Sequence, residues 1–348
     1  MSLLSSPPFS LTKTFDAVDT AIDANADISD AILQVALNTY GIPSDNTEWK
    51  GAATPSDMDK ARSTIRQLYR DWSAEGASER EACFGPILDA LSRTFSHLTP
   101  AQRSHVNVLV PGAGLGRLVL EVNRAGYAVE GNEISYHQLF ASNWLLNYTT
   151  SVGQYDLYPW ALSFSNHTHR AHQLQRVLVP DVLPGQAMGE ASRALQSEVH
   201  AFERMSMSSG DFCVLYKSPE YTGTFDAVAT CFFIDTAPNL ISYIESVKNC
   251  LKTGGAWVNL GPLLWHFESG PPPGSKNSAK DISMETDQGI GEAGSFELAE
   301  EEVVELLNHL GFEVVEHRPT GLEAGYIQDP RSMLQNIYRP SFWVARKQ

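Results

Sequence analysis

Apolar positions along this chain follow two rhythms, and the change comes near residue 106. Before it they recur at helical spacing, three and four residues apart. Ala31 to Tyr40, Met58 to Trp72 and Glu81 to Phe95 are predicted helices. In the second, Ile65, Leu68, Tyr69 and Trp72 share one face. In the third, Ile87, Leu88 and Leu91 do, and Pro100 ends it. After 106, short apolar runs alternate with helical stretches, which argues a parallel sheet with helices on both faces. Strand Val106–Val110 leads to helix Leu115–Ala125, and strand Ala128–Gly131 to helix Tyr136–Asn147. A long irregular stretch, about residues 149–205, holds prolines 159, 180 and 184. The apolar run Phe225–Phe233 is a strand, followed by helix Asn239–Leu251 with Gly254-Gly255 as its C-terminal cap. Ala256–Leu260 is another strand. A Gly, Pro and Ser-rich segment, 269–294, reads as a mobile loop. Helix Glu297–Leu310 and strands Phe312–Glu316 and Ser341–Ala345 complete the sheet.

The first strand runs into Val110-Pro111-Gly112-Ala113-Gly114-Leu115-Gly116-Arg117. Glycines between a strand and a helix let a ligand approach bare backbone. Glu133 follows the second strand, where a carboxylate can accept hydrogen bonds from a ribose. These residues point to a nucleoside-containing cofactor. A dinucleotide fingerprint needs its third glycine three positions after the second, but Gly116 follows Gly114 by two. S-adenosylmethionine carries no phosphate and fits that spacing better; a nicotinamide oxidoreductase, and glycines that merely make a tight turn, stay open at this point.

Composition narrows the partners. The 348 residues suffice for a large core without disulfides or a structural metal, with 43% hydrophobic and 19% charged positions. A formal charge of −16 repels nucleic acid and anionic membrane. The scattered cysteines, Cys83, Cys213, Cys231 and Cys250, have no metal or redox spacing and fit a reducing compartment. No signal peptide is expected from the N-terminal residues, and no apolar run reaches membrane-spanning length. The expectation is a cytoplasmic protein, with the nucleus also open. The run His167-Thr168-His169-Arg170-Ala171-His172 matches no standard zinc pattern and reads as a solvated loop, so no metal is expected.

Six ordered blocks go beyond a generic fold. They are Gln67–Ser73, Val110–Arg117, Gly131-Asn132-Glu133, Leu157-Tyr158-Pro159-Trp160, Ala229–Ala237 and Asn259–Glu268. Together they resemble the carnosine N-methyltransferase family, from about residue 58 to the C-terminus. The resemblance implies a Rossmann-like class I methyltransferase sheet over 101–348, with insertions at about 149–205 and 269–294. It also implies a helical N-terminal region, 1–100, contributing to the cofactor site. The family moves a methyl group from S-adenosylmethionine to the Nπ nitrogen of a histidine imidazole, converting carnosine to anserine, and protein histidines are also reported targets. Carried onto matching positions, the cofactor contacts would be Gln67, Arg70, Gly112, Glu133, Asp211, Phe212 and Cys231, beside Gly114 of the same turn. Substrate contacts would be Asp235, His266 and Tyr338, with Asp235 and His266 catalytic. Asp235 would accept the N–H of one imidazole nitrogen and so leave the other bare. It also precedes a helix, which it could instead cap. The segment 269–294 is longer than the family pattern, and Asn336 and Ile337 depart from its aromatic tail. Both differences bear on the acceptor. Protein histidine as substrate, a donor-binding protein without turnover, and a homodimer stay open.

Overall fold

The computed structural model describes residues 2–43, 45–266, 296–318 and 322–348. The expected loop 269–294 lies outside the described residues, as do Phe267 and Glu268 of the last sequence block. The chain forms two compact units. The second comprises Glu81–Leu139, Gly185–Ala324 and Tyr338–Gln348. Its sheet has seven strands, numbered here in chain order: β1 Asn107–Pro111, β2 Ala128–Glu133, β3 Met205–Ser209, β4 Phe225–Cys231, β5 Leu251–Gly261, β6 Phe312–Arg318 and β7 Ser341–Lys347. The order across the sheet is β3-β2-β1-β4-β5-β7-β6. β1 to β5 pair in parallel, and β7 enters antiparallel between β5 and β6. This order reverses between β1 and β4, the place where open α/β sheets hold ligands beyond the carboxyl ends of their strands. With its antiparallel seventh strand, it is the class I methyltransferase sheet that the resemblance implies.

Both faces of the sheet are buried, which is why its strands read as continuous apolar runs. Val108, Val110, Ala227, Ala229 and Val258 face one core with Cys83, Ile87 and Leu91 of helix Ala77–Thr94. The alternate residues Leu109, Val228 and Trp257 face the other. There they meet Tyr243, Ile244 and Val247 of helix Leu240–Cys250, and Val303 and Leu307 of helix Glu300–His309. Residues 81–100 therefore pack with the sheet.

Three local expectations change. β3 falls at the end of the stretch read as irregular; its residues Met205-Ser206-Met207-Ser208-Ser209 are only half-buried or exposed, as suits an edge strand. That stretch also holds an antiparallel pair, Tyr155–Leu157 with Val177–Val179, and a helix Pro184–Leu195. Pro184 starts this helix, where proline's missing N–H costs nothing. Finally, Gly254-Gly255 do not cap the preceding helix. Leu251 is buried and pairs with Phe225, so the chain turns extended at once. The glycines then lie within β5 where its register with β4 shifts, and Gly254 takes φ +77°.

The first unit comprises Met1–Arg80, Phe140–Pro184 and Gly325–Ile337. It contains helices Leu11–Thr39 and Pro55–Trp72, the second opened by a capping box between Thr54 and Asp57. Ile28, Leu68, Trp72, Trp144, Leu157 and Trp160 are buried. Arg80 ties this unit together: its Nη1 donates to the carbonyls of Arg70 and Ser73 at 2.5 and 2.7 Å. Its Nη2 donates to Asp181 Oδ2 at 2.6 Å. Asp181→Ala removes a carboxylate from this largely buried guanidinium. It is expected to destabilise the protein by about 3–5 kcal/mol, read as a lowered urea midpoint. Arg80→Ala combined with it should cost less than the two single losses added. No described helix is long and apolar enough to cross a membrane.

Candidate methyl-transfer site

The turn after β1 favours glycine at three positions. Gly112, Gly114 and Gly116 have φ of +67°, +56° and +76°, the left-handed region that side chains disfavour. The turn is laced to β2. Ala113 N–H donates to the Asn132 carbonyl at 2.9 Å, and Gly114 N–H to Glu133 Oε2 at 2.8 Å. Glu133 Oε1 accepts from the N–H groups of Ile134 and Ser135 at 2.8 and 2.9 Å. Three backbone N–H groups thus orient this carboxylate beside the glycine turn, and a carboxylate at the end of a second strand can accept hydrogen bonds from a ribose.

The end of β3 is tied to the same place. Gly210 N–H donates to the Glu133 carbonyl at 3.1 Å, and the Asn132 side-chain amide donates to the Gly210 carbonyl at 3.1 Å. Next comes Asp211, whose carboxylate accepts from Val214 N–H at 2.9 Å and caps the short helix Phe212–Tyr216. Phe212 is buried and meets Phe233 and Tyr243 edge-on, each at 5.4 Å.

β4 ends at the half-buried Cys231, and the chain then turns sharply. Phe232 adopts φ +53°, an unusual conformation for a bulky residue and of the kind that gathers at functional sites. Its N–H donates to the Leu260 carbonyl at 2.8 Å, and its ring meets Tyr338 edge-on at 5.6 Å. Gly261 makes room: a Cβ there would stand 3.1 Å from Phe232 backbone. The reversal leads into a single turn of 3-10 helix, Ile234–Thr236, which carries Asp235.

Asp235 is 3% exposed. Burial pushes its carboxyl up to about 7, against partial relief from backbone N–H groups of Asp235 and Leu264. The following helix is capped by Asn239, so Asp235 does not serve that role. His266 N–H donates to the Asp235 carbonyl oxygen at 3.1 Å, which brings the two residues together through backbone. The His266 side chain is exposed, and partial desolvation lowers its pKa.

Gly112, Gly114, Glu133, Asp211, Phe212, Cys231, Asp235 and His266 thus all sit at the carboxyl ends of β1 to β5, with Tyr338 joined through Phe232. Gln67 and Arg70 belong to the first unit. Both are buried, and Arg70 makes a two-pronged bond to Asp71 at 2.6 and 3.0 Å under the ring of Tyr326. Sequence reasoning gives no separate role to Phe233 or Tyr243: neither an aromatic at the end of an apolar strand nor one in the first turn of a helix carries a mark that separates lining from core.

Comparison with known proteins gives the family. The family model described as carnosine N-methyltransferase matches residues 47–348. The carnosine N-methyltransferase of Schizosaccharomyces pombe is 36% identical over 336 residues, covering 97% of this chain and 83% of that protein. The carnosine N-methyltransferase of Rattus norvegicus is 36% identical over 338 residues, covering 95% and 74%. Likeness to solved structures is weaker. The magnesium protoporphyrin IX methyltransferase of Synechocystis PCC 6803 is 13% identical over 84% of this chain and 95% of that one, with a TM-score of 0.40. The fold assignment therefore rests on the strand order itself.

Proposed function

The chain belongs to the carnosine N-methyltransferase family, and on that footing we propose that it transfers a methyl group from S-adenosylmethionine to Nπ of the imidazole of carnosine, or of a related histidine-containing dipeptide, to give anserine or its counterpart. The observation that carries this reading is Asp235, a buried carboxyl beyond β4, the strand that pairs with β1 and so lies next to the glycine turn laced to Glu133. When bound, the donor supplies a sulfonium methyl open to in-line displacement. Everything else is done by the protein. Glu133 and the glycine turn hold the adenosyl end. Asp235 accepts the N–H of one imidazole nitrogen, which fixes the tautomer and leaves the other nitrogen with a lone pair. As the new bond forms, the ring gains positive charge, and Asp235 stabilises it and takes the proton. A carboxyl near 7 suits both acts, since a proton acceptor works best with its pKa near the operating pH. His266, kept neutral by its lowered pKa, orients the dipeptide.

Two measurements test this. In calorimetry, S-adenosylhomocysteine is expected to bind and NAD not to. With radiolabelled donor, label is expected on carnosine, in a product that co-migrates with the Nπ-methyl standard. Label only on a proteome extract would move the acceptor to histidine in a protein. Donor binding with no transfer to either would leave a binding protein without turnover, and NAD binding in place of the donor would overturn the whole reading.

A further inference from the structure

The histidine run 167–172 is solvated at His169, which is exposed, but not at His167, whose side chain is 7% exposed. His167 lies in the loop before helix Arg170–Gln173, and the segment Gly325–Ile337 docks on that loop within the first unit. His167 and Ser332 form an isolated antiparallel bridge. Met333 N–H and the Ser332 hydroxyl donate to the Asn166 carbonyl at 2.9 and 3.3 Å, and the Arg331 guanidinium donates to Gln175 Oε1. Beside these bonds lies an unfinished pair. His167 Nδ1 faces Asp329 Oδ2 at 4.0 Å. Both atoms are buried, and neither has a hydrogen-bond partner among the described residues.

The cause is the tautomer. His167 Nε2 lies 2.7 Å from the Ser163 carbonyl oxygen, which can only accept, so Nε2 carries the hydrogen. In the neutral ring Nδ1 is then a bare acceptor, and the carboxylate opposite it is acceptor-only as well. One proton on Nδ1 satisfies both atoms and makes a charge-assisted hydrogen bond of about 2.8 Å. Asp329 is oriented for it: Oδ1 accepts from Arg331 N–H at 2.9 Å and Nε at 3.3 Å, while Oδ2 points to the histidine. Arg331 on the segment, His169 and His172 at the neighbouring helix, and Tyr69 on helix Pro55–Trp72 also face the pair. The geometry points to a proton-operated latch: protonation of His167 Nδ1 closes it onto Asp329 Oδ2 and fastens Gly325–Ile337 to the loop, and loss of that proton loosens the segment. The fastening is present at low pH and lost as pH rises and the imidazole loses its second proton. The segment runs directly into Tyr338, but the latch does not depend on which acceptor the protein methylates.

Amide hydrogen exchange of the full chain, corrected for its intrinsic pH dependence, tests this. The Arg331 and Met333 amides are expected to be about tenfold better protected at about pH 5.5 than at about pH 8, on either side of the range where histidine changes charge. Helix Pro55–Trp72 should show no such change. Asp329→Asn sets an amide N–H opposite the bare Nδ1, which fastens the neutral ring, so protection should no longer rise on acidification. His167→Gln has no proton to gain and should also lose the rise. Equal protection at the two pH values in the wild-type protein, or a rise that survives in either variant, would overturn the proposal. If a variant loosens helix Pro55–Trp72 as well, the wild-type protein decides. Exchange of the His167 imidazole C2 hydrogen should then titrate with the same midpoint as protection of the Met333 amide, and separate midpoints overturn the latch.

Discussion

Asp235→Asn is expected to slow methyl transfer to carnosine by about 10²–10⁴-fold while leaving S-adenosylhomocysteine affinity unchanged. The substitution keeps the shape of the side chain and removes its capacity to take a proton or offset a cation. The pH dependence should identify the cause. Transfer requires a neutral acceptor imidazole, with a reference pKa of about 6.5, and an ionised Asp235, whose carboxyl titrates at about 7. Both requirements are met as pH rises. The logarithm of kcat/KM should therefore climb with a slope approaching two below pH 6 and level off above 8, on the order set by these pKa values. In Asp235→Asn only the imidazole limb remains, and the slope should fall to about one. An unchanged slope would remove Asp235 from the chemistry. Stability should move the opposite way. The folded-state pKa of Asp235 lies above its ordinary value of 3.8, so the neutral form is favoured by folding and that contribution is lost as pH rises through about 7. Above that pH, Asp235→Asn should melt higher than the wild-type protein, the trade between activity and stability seen where a site holds an ill-solvated charge.

What could be read beforehand follows from where chemistry and periodicity coincide. Gly112, Glu133 and Asp235 were legible because each follows an apolar strand at a point where a core residue would be expected. The sheet was legible because both its faces are buried, so Val108–Val110 and Ala227–Ala229 are unbroken apolar runs. β3 was not, because an edge strand needs only Met205 and Met207 half-buried and its serines can face outward. The first unit was not, because it gathers stretches as distant as Arg80 and Asp181, and no local pattern announces a contact across 101 positions. Left-handed Phe232 was also silent, since its role comes from the turn it forms and not from its residue type.

Glu133 carries the second large effect. Glu133→Ala is expected to weaken S-adenosylhomocysteine by about 100-fold, the scale of one charge-assisted hydrogen bond at 1.5–3 kcal/mol together with the turn it organises. Without the carboxylate, the N–H groups of Gly114, Ile134 and Ser135 lose their common acceptor at 2.8–2.9 Å, and the turn after β1 is no longer laced to the end of β2 by a side chain. Glu133→Gln separates these contributions. Its amide keeps one oxygen acceptor and turns an N–H donor toward whatever the other oxygen served. If Oε1 with its two backbone donors governs the orientation, the amide nitrogen faces Gly114 N–H, donor against donor, and the loss approaches that of alanine. Carnosine KM should change little in either variant, because Asp235, His266 and Tyr338 lie beyond β4 and β5 while Glu133 ends β2. Calorimetry with S-adenosylhomocysteine reads the first quantity and steady-state kinetics at saturating donor the second. Wild-type donor affinity in Glu133→Ala would mean that the Glu133 carboxylate meets no ribose, and the donor would have to lie elsewhere along the sheet.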